Sequence, residues 1–305
     1  MTHAAGADRH RTVATAIGFG AVVLWALLAL FTVGAAGIPP FQLLAMTFTV
    51  AFAIGLAQSL RQGAAVVGMV RAFPGAIAFG TTGLFGYHLF YFIALGNAPA
   101  VDASLIAYLW PLLIVLLSGL MPGERLFGVH IIGGLMGFAG AAVITLGRGE
   151  VGFDPAYTVG YLAAAACAIT WSSYSVFNRR FAGTPTLAVT PMCGLVAVLA
   201  AVCHLAVETT VTPDALQAAA ALALGLGPVG AAFFLWDHGT KHGDLGLLGV
   251  SSYAAPLLST LVLIAVGLAD ASWRVLLACG LIVGGAVLAA TPTLRAMRTA
   301  GTGPS

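Results

Sequence analysis

The chain has 305 residues, 60% of them hydrophobic and 7% charged, with a formal net charge of +2 and a mean hydropathy of +1.02. About a quarter of a soluble protein's residues are charged, so a water-soluble globule of this size is excluded and a bilayer is the solvent that fits. No basic run points to nucleic acid. Cys167, Cys193, Cys203 and Cys279 lie in apolar segments without ligand spacing, as small buried hydrophobes rather than a disulfide or a metal site.

Ten apolar stretches near the ~20 residues needed to cross the hydrocarbon core are predicted as spans. They fall at 14–33, 41–60, 72–95, 100–120, 127–147, 157–178, 186–206, 217–237, 245–267 and 274–291. The first follows Arg9 and Arg11 as a signal peptide would, but its length and nine similar successors favour an uncleaved membrane helix. Turn chemistry separates the spans at Gly34–Pro40, Gly96–Pro99, Met121–Glu124 and Gly183–Pro185. The expected organisation is a cytoplasmic tail over 1–13, a five-helix unit over 14–147, a linker over 148–156, a second five-helix unit over 157–291 and a cytoplasmic tail over 292–305. The polar end from Thr299 is expected to be disordered.

Basic residues orient the spans. With the N-terminus cytoplasmic, Arg9, Arg11, Arg61, Arg71, Arg125, Arg179, Arg180, Lys241, Arg295 and Arg298 fall inside, against only Arg148 and Arg274 outside. An even span number then puts both termini in the cytoplasm.

A duplication is legible in spacing. Tyr108, Pro111 and the two leucines after it recur as Tyr253, Pro256 and two leucines, an offset of 145; Trp25 and Phe31 match Trp171 and Phe177 at 146. Five spans per half, an odd number, force the second half to insert upside down. That is the inverted-repeat plan of many carriers, whose substrate site lies near the bilayer midplane.

Candidate site residues cluster where aromatic and polar groups lie deep in spans. Tyr87 and Tyr91 share one helix face with His88 beside it. Tyr108 and Trp110 adjoin Pro111, and Tyr253 precedes Pro256; each proline removes a backbone donor and frees carbonyls toward a ligand or water. Pro111 and Pro256 are therefore expected helix breaks. Trp171 and Tyr174 are three apart on the sixth span. Interfacial aromatic belts are the alternative, and they suit Trp25, Trp236 and Trp273, as packing or belt residues, better than the deeper Tyr108, Trp110 and Trp171. For His88 two readings stand: a group that bonds substrate or takes a proton, and a ring satisfied by a neighbouring helix. Asp102 and Asp237, near span ends within reach of water, read as capping or local pairing, and His238, Lys241 and His242 as a solvated turn. The glycines Gly133, Gly134, Gly137, Gly140, Gly280, Gly284 and Gly285 read as close helix packing.

The run Ala94-Leu-Gly-Asn-Ala-Pro-Ala-Val-Asp-Ala-Ser-Leu105, then Leu109-Trp-Pro-Leu-Leu113 and Gly123-Glu-Arg-Leu126, resembles an EamA-type domain of the drug/metabolite transporter superfamily. Ala269-Asp-Ala-Ser-Trp273 departs from the family's Gly-Glu-Arg-Leu at the equivalent loop of the second half. The resemblance implies an all-α membrane protein of ten helices in two inverted five-helix repeats, with Glu124-Arg125 as a structural loop pair. Gly86–Leu95 and Trp171–Arg180 look most like the aromatic amino-acid exporter branch. That likeness implies export of aromatic and other neutral amino acids from the bacterial cytoplasm. No basic residue is expected deep in a span, which argues against sugar-phosphate or nucleotide-sugar substrates. Efflux of amphipathic drugs or other metabolites through the same cavity is the alternative. An enzyme would need a nucleophile–base set or a metal motif such as His-Glu-x-x-His, and neither occurs. No cofactor is expected; the partners are a small neutral substrate and the lipid bilayer.

Overall fold

The computed structural model describes residues 2–124, 126–147, 152 and 154–301. Among these residues the regular structure is entirely helical: α1 (Thr2–Trp25), α2 (Leu28–Gly34), α3 (Pro40–Arg61), α4 (Val66–Ala72), α5 (Pro74–Asn97), α6 (Ala100–Ala107), α7 (Trp110–Ser118), α8 (Gly128–Leu146), α9 (Thr158–Phe177), α10 (Val189–Val207), α11 (Ala215–Leu226), α12 (Ala232–His242), α13 (Leu245–Ser251), α14 (Ala254–Ala265) and α15 (Trp273–Gly301). Helix α15 carries the backbone to Gly301, past the expected start of a disordered tail at Thr299, and α1 already begins at Thr2.

Nine helical segments among the described residues are long and apolar enough to cross a membrane: Arg9–Gly34, Pro40–Arg61, Pro74–Asn97, Ala100–Ser118, Gly128–Leu146, Thr186–Val207, Ala215–His242, Leu245–Ala265 and Trp273–Pro292. Helix α9 is 20 residues long but outside that set. Its serines, threonines and tyrosines lower its hydropathy, and they are tolerated because the bundle surrounds it. Ten of its residues between Gly160 and Val176 are buried, and Ser172 Oγ donates to its own helix at Ala168 O, 2.8 Å away.

The main helix contacts join the two halves: α1 with α12, α3 with α10, α5 with α9, α7 with α13 and α8 with α15. Small residues permit the closest of them. A Cβ on Gly133 of α8 would sit 2.5 Å from Gly285 O of α15, and one on Gly140 would sit 2.6 Å from Ile282. Gly280, expected at the same seam, faces open space.

Four apolar segments are broken in mid-course. The α6–α7 and α13–α14 breaks fall at Tyr108–Leu109 and Ser252–Tyr253, each just before the helix that holds Pro111 or Pro256. Two further breaks were not read from the sequence. Between α1 and α2 the turn tightens, with Leu27 N–H donating to Leu24 O at 3.0 Å. Between α11 and α12 a π-helical segment, Gly227–Ala231, carries Pro228. Backbone irregularity at membrane depth is stable only where protein or a cavity surrounds it.

One end of the bundle is closed by ions. Arg11 pairs with Glu124 at 2.7 Å and with Asp244 at 3.3 Å, and Arg179 also pairs with Glu124. Burial, with Arg11 nearby, lowers the Arg179 guanidinium to about 10, so it stays cationic at neutral pH. Glu124 thus binds two arginines distant in sequence. Arg125, the second member of the expected loop pair, and Arg148 lie outside the described residues, as do the side chains of Arg295 and Arg298. Helix α12 runs on to His242, so Lys241 belongs to a helix rather than a solvated turn. Lys241 is only 3% exposed, and its Nζ donates to the Asp237 carboxylate at 2.9 Å and to Thr184 O at 3.1 Å. Asp237 and Asp102 are fully buried rather than water-accessible. Both are nonetheless locally paired, Asp102 accepting from the Tyr161 hydroxyl at 3.1 Å.

The α8–α15 seam makes a paired prediction. Gly133→Val should lower thermal stability in detergent by about 1–3 kcal/mol through overpacking, whereas Gly280→Val should leave the melting temperature unchanged. Equal melting temperatures for the two variants would remove the assigned contact.

Candidate substrate cavity

A cavity of about 470 Å³ opens at the end of the bundle opposite the ion pairs. Its size lies in the range of small-molecule sites. Every break in the helices borders it: Trp25 and Leu28 flank the first, Tyr108 and Trp110 the second, Pro228 and Val229 line the π segment, and Ala255 and Pro256 follow the fourth. Leu28 and Leu95, both more than a third exposed, lie toward its mouth.

The floor is made of indoles. Trp25, Trp110, Trp171 and Trp236, from α1, α7, α9 and α12, have all six pairwise ring-centroid distances between 5.0 and 6.2 Å. Most pairs meet edge to face or tilted, as ring quadrupoles prefer. None of the four is more than 8% exposed. Two of the indole N–H groups find acceptors: Trp25 Nε1 donates to Pro228 O at 3.1 Å, using a carbonyl of the π segment, and Trp236 Nε1 donates to Ser175 Oγ at 3.0 Å. Trp25, Trp110 and Trp171 face the cavity, and Trp236 backs them.

Phenols and one imidazole make a wall. Tyr87 and Tyr91 lie parallel, with centroids 6.1 Å apart and planes at 2°, as their four-residue spacing on α5 dictates. Tyr87 also packs on Trp171 at 5.1 Å. His88 Nδ1 lies 2.7 Å from Leu84 O. A carbonyl only accepts, so Nδ1 carries the proton, and in the neutral ring Nε2 is left as an acceptor. Phe48, Tyr87, Phe92 and Phe233 surround that ring. Thr32, Ser104, Tyr108 and Ser259 add hydroxyls. Among the described residues, no lysine, arginine or carboxylate lines the cavity.

Tyr87, His88, Tyr91, Tyr108, Trp110 and Trp171 are thus brought together around one space, with Pro256 at its edge. Tyr174, Tyr253 and Pro111 are not part of the lining. Tyr174 is packed against Gly83, where a Cβ would come within 2.6 Å of its ring. Tyr253 is packed against Gly137, and its hydroxyl accepts from Leu112 N–H at 3.2 Å. Tyr174 lies on the closed side of the indoles, and Tyr253 belongs to a separate apolar cluster with Ala141, Ile144 and Ile282. Trp25, read from sequence as packing or belt, lines the cavity, and the offset that pairs it with Trp171 was the signal for it. Trp236 is core, whereas Trp273, 68% exposed, is left at the surface.

The sequence profile of the EamA-like transporter family matches this chain twice, over residues 13–146 and 158–291. The aromatic amino acid exporter YddG of Ancylobacter novellus is 52% identical over 280 residues, covering 92% of this chain and 97% of its own length. The protein of the same name from Salmonella typhimurium is 26% identical, over 81% of this chain and 86% of its own. A solved crystal structure with 51% identity, covering 93% of this chain and 98% of its own, superposes with a TM-score of 0.89. Two matched repeats covering most of its length place the chain in the EamA-like transporter family.

Proposed function

We propose that this chain exports aromatic and other neutral amino acids across the bacterial cytoplasmic membrane by alternating access. The observation that carries the reading is the cavity: three indoles and three phenols around one neutral imidazole acceptor, with no fixed charge in the lining. Aromatic walls favour flat apolar side chains, each good ring contact contributing ~0.5–1.5 kcal/mol beyond burial. His88 Nε2 would accept from a substrate ammonium, and the hydroxyls of Ser104, Tyr108 and Ser259 would serve its carboxylate. A lining without cationic side chains offers a phosphate no opposite charge. The 52%-identical relative that bears the name of an aromatic amino acid exporter supports the same substrate class.

The finer architecture belongs to the same reading. Helix α9 is the sixth of ten spans, and residues 14–147 and 157–291 form two inverted five-helix repeats. The contacts support a two-fold relation: exchanging equivalent spans turns the α1–α12 contact into the α9–α5 contact and maps the other three onto themselves. With both termini cytoplasmic, the ion-paired end faces the cytoplasm and the cavity opens outward. Tyr87, His88, Tyr91, Tyr108, Trp110 and Trp171 hold substrate in that state, and Tyr174 and Tyr253 belong to the other.

Saturable uptake of labelled phenylalanine into proteoliposomes, competed by unlabelled tryptophan, is the expected outcome; uptake no greater than in empty vesicles, from folded protein, would sink the substrate reading. Trp110→Ala should raise the half-saturating concentration roughly two- to tenfold, the equivalent of one lost ring contact. Trp273→Ala, at the molecular surface, should leave it unchanged at equal reconstitution, and identical behaviour of the two would displace the site.

A further inference from the structure

We propose a second amino-acid subsite, closed in this conformation, on the far side of the indole floor, where Asp237, Lys241, Asn178 and Tyr174 receive the zwitterionic head of the substrate as it enters. It rests on the export reading given above and adds a place where the substrate's two charges are read.

Asp237, Lys241 and Asn178 form one buried group, and Tyr174 stands four residues before Asn178 on the same face of the chain. Lys241 Nζ and the Asp237 carboxylate are 2.9 Å apart, and Asn178 Nδ2 donates to Asp237 Oδ1 at 3.0 Å and to Thr240 Oγ1 at 3.3 Å. Lys241 is 3% exposed, Asn178 2% and Asp237 not at all. Asn178 caps the C-terminal end of α9, seven residues beyond Trp171 and about 10 Å at 1.5 Å per residue, so the group lies past the indoles and not in the open cavity. A buried ion pair is a poor device for stability, since apolar residues of similar volume often do as well or better.

Two independent observations point to a ligand. The Tyr174 hydroxyl, on the same stretch of α9, is buried without a hydrogen-bond partner, although its residue is only 2% exposed. Buried polar atoms are rarely left so, and each such atom asks for an explanation. The duplication supplies one. The offset of 146 that relates Trp25 to Trp171 relates Leu28, Ala29 and Thr32, all lining the open cavity, to Tyr174, Ser175 and Asn178. The offset of 145 likewise relates Tyr91 to Trp236 and Tyr108 to Tyr253. In an inverted repeat the two halves exchange roles when access alternates, so the counterparts of the open lining become the lining of the opposite cavity.

The chemistry selects a zwitterion. An α-amino acid carries an ammonium and a carboxylate on neighbouring atoms, and an Asp–Lys pair presents the complement of each. When the ligand enters, its ammonium replaces Lys241 at Asp237 and its carboxylate takes the Lys241 ammonium, with Asn178 and the Tyr174 hydroxyl donating to the same oxygens. No charge is left unpaired at either stage. A bare amine or a bare acid would strand one member of the pair, which a low-dielectric site penalises.

The test uses the full chain in proteoliposomes with labelled phenylalanine. Asp237→Asn/Lys241→Met removes both charges together, and Tyr174→Phe removes only the orphan hydroxyl and cannot unfold the protein by breaking a bond. Tryptophan fluorescence titrated with phenylalanine in detergent reports the indole-floored cavity and shows that each variant is folded. The expected result is titration within about twofold of wild type, with the half-saturating concentration for flux raised about tenfold in the double variant, as for a lost charge-assisted bond, and by a smaller factor in Tyr174→Phe. Half-saturation at the wild-type value in both variants would overturn the subsite. A wild type that carries no phenylalanine would overturn the export reading instead, and the subsite with it.

Discussion

The contact among Trp25, Trp110, Trp171 and Trp236 is the constraint on which the rest of the structure depends. Four indoles from four helices can all lie within 6.2 Å of one another only if those helices converge at one depth, and here they do so from both halves of the chain. The cluster offers large apolar faces to the cavity above it and seals that cavity from the buried ions below. Its polar demands are met locally by Pro228 O and Ser175 Oγ, so closure at this point requires no water.

Convergence at that depth has a backbone consequence. A straight helix presents one stripe of side chains, and its carbonyls are used internally. The four breaks beside Trp25, Tyr108, Pro228 and Tyr253 change helix direction where the halves meet and release backbone groups to the interior. The Pro228 carbonyl held by Trp25 is one of these. Elsewhere the helices run straight and close, as at Gly133 against Gly285. Straight scaffold and broken centre are the same division that glycine seams and mid-span prolines mark in the sequence.

Much of this was legible beforehand because the bilayer leaves so few options. Apolar length located the nine membrane-compatible segments, and the i, i+4 spacing of Tyr87 and Tyr91 put His88 beside a shared face. Pro111 and Pro256 announced two breaks. The break beside Trp25 has no proline or glycine to announce it, only the tight turn at Leu27, and the π segment at Pro228 depends on packing against the facing helices. Lys241 looked solvated because it sits near a run of polar residues; its burial comes from Asp237, four residues earlier on the same helix, and from Thr184, far away in sequence. Tyr253 was placed with the cavity by equivalence to Tyr108, and Tyr174 by its three-residue spacing from Trp171 on one helix. Equivalence does not fix a shared environment: Trp25 and Trp171 both face the cavity, whereas Tyr108 lines it and Tyr253 is packed against Gly137.

The closed side of the molecule is sealed in two layers by different physics, and the difference bears on switching. An apolar plug excludes water and is indifferent to a substrate's charge, so it selects shape and aromatic surface. Of the ion-paired side chains only Arg11 is more than a third exposed, while Arg179, Glu124 and Asp244 are largely buried, and their net contribution is small because the cost of removing the charges from water offsets their attraction. A closure of that kind can be exchanged for hydration at little net cost, whereas separating the indoles would expose large apolar faces at about 25 cal/mol per Å². A substrate whose ring replaces those faces as they part offsets that cost, and one without a ring does not. Under the proposed export, selectivity for flat apolar side chains would therefore follow from what the floor needs in order to open, as well as from what the cavity holds while it is closed.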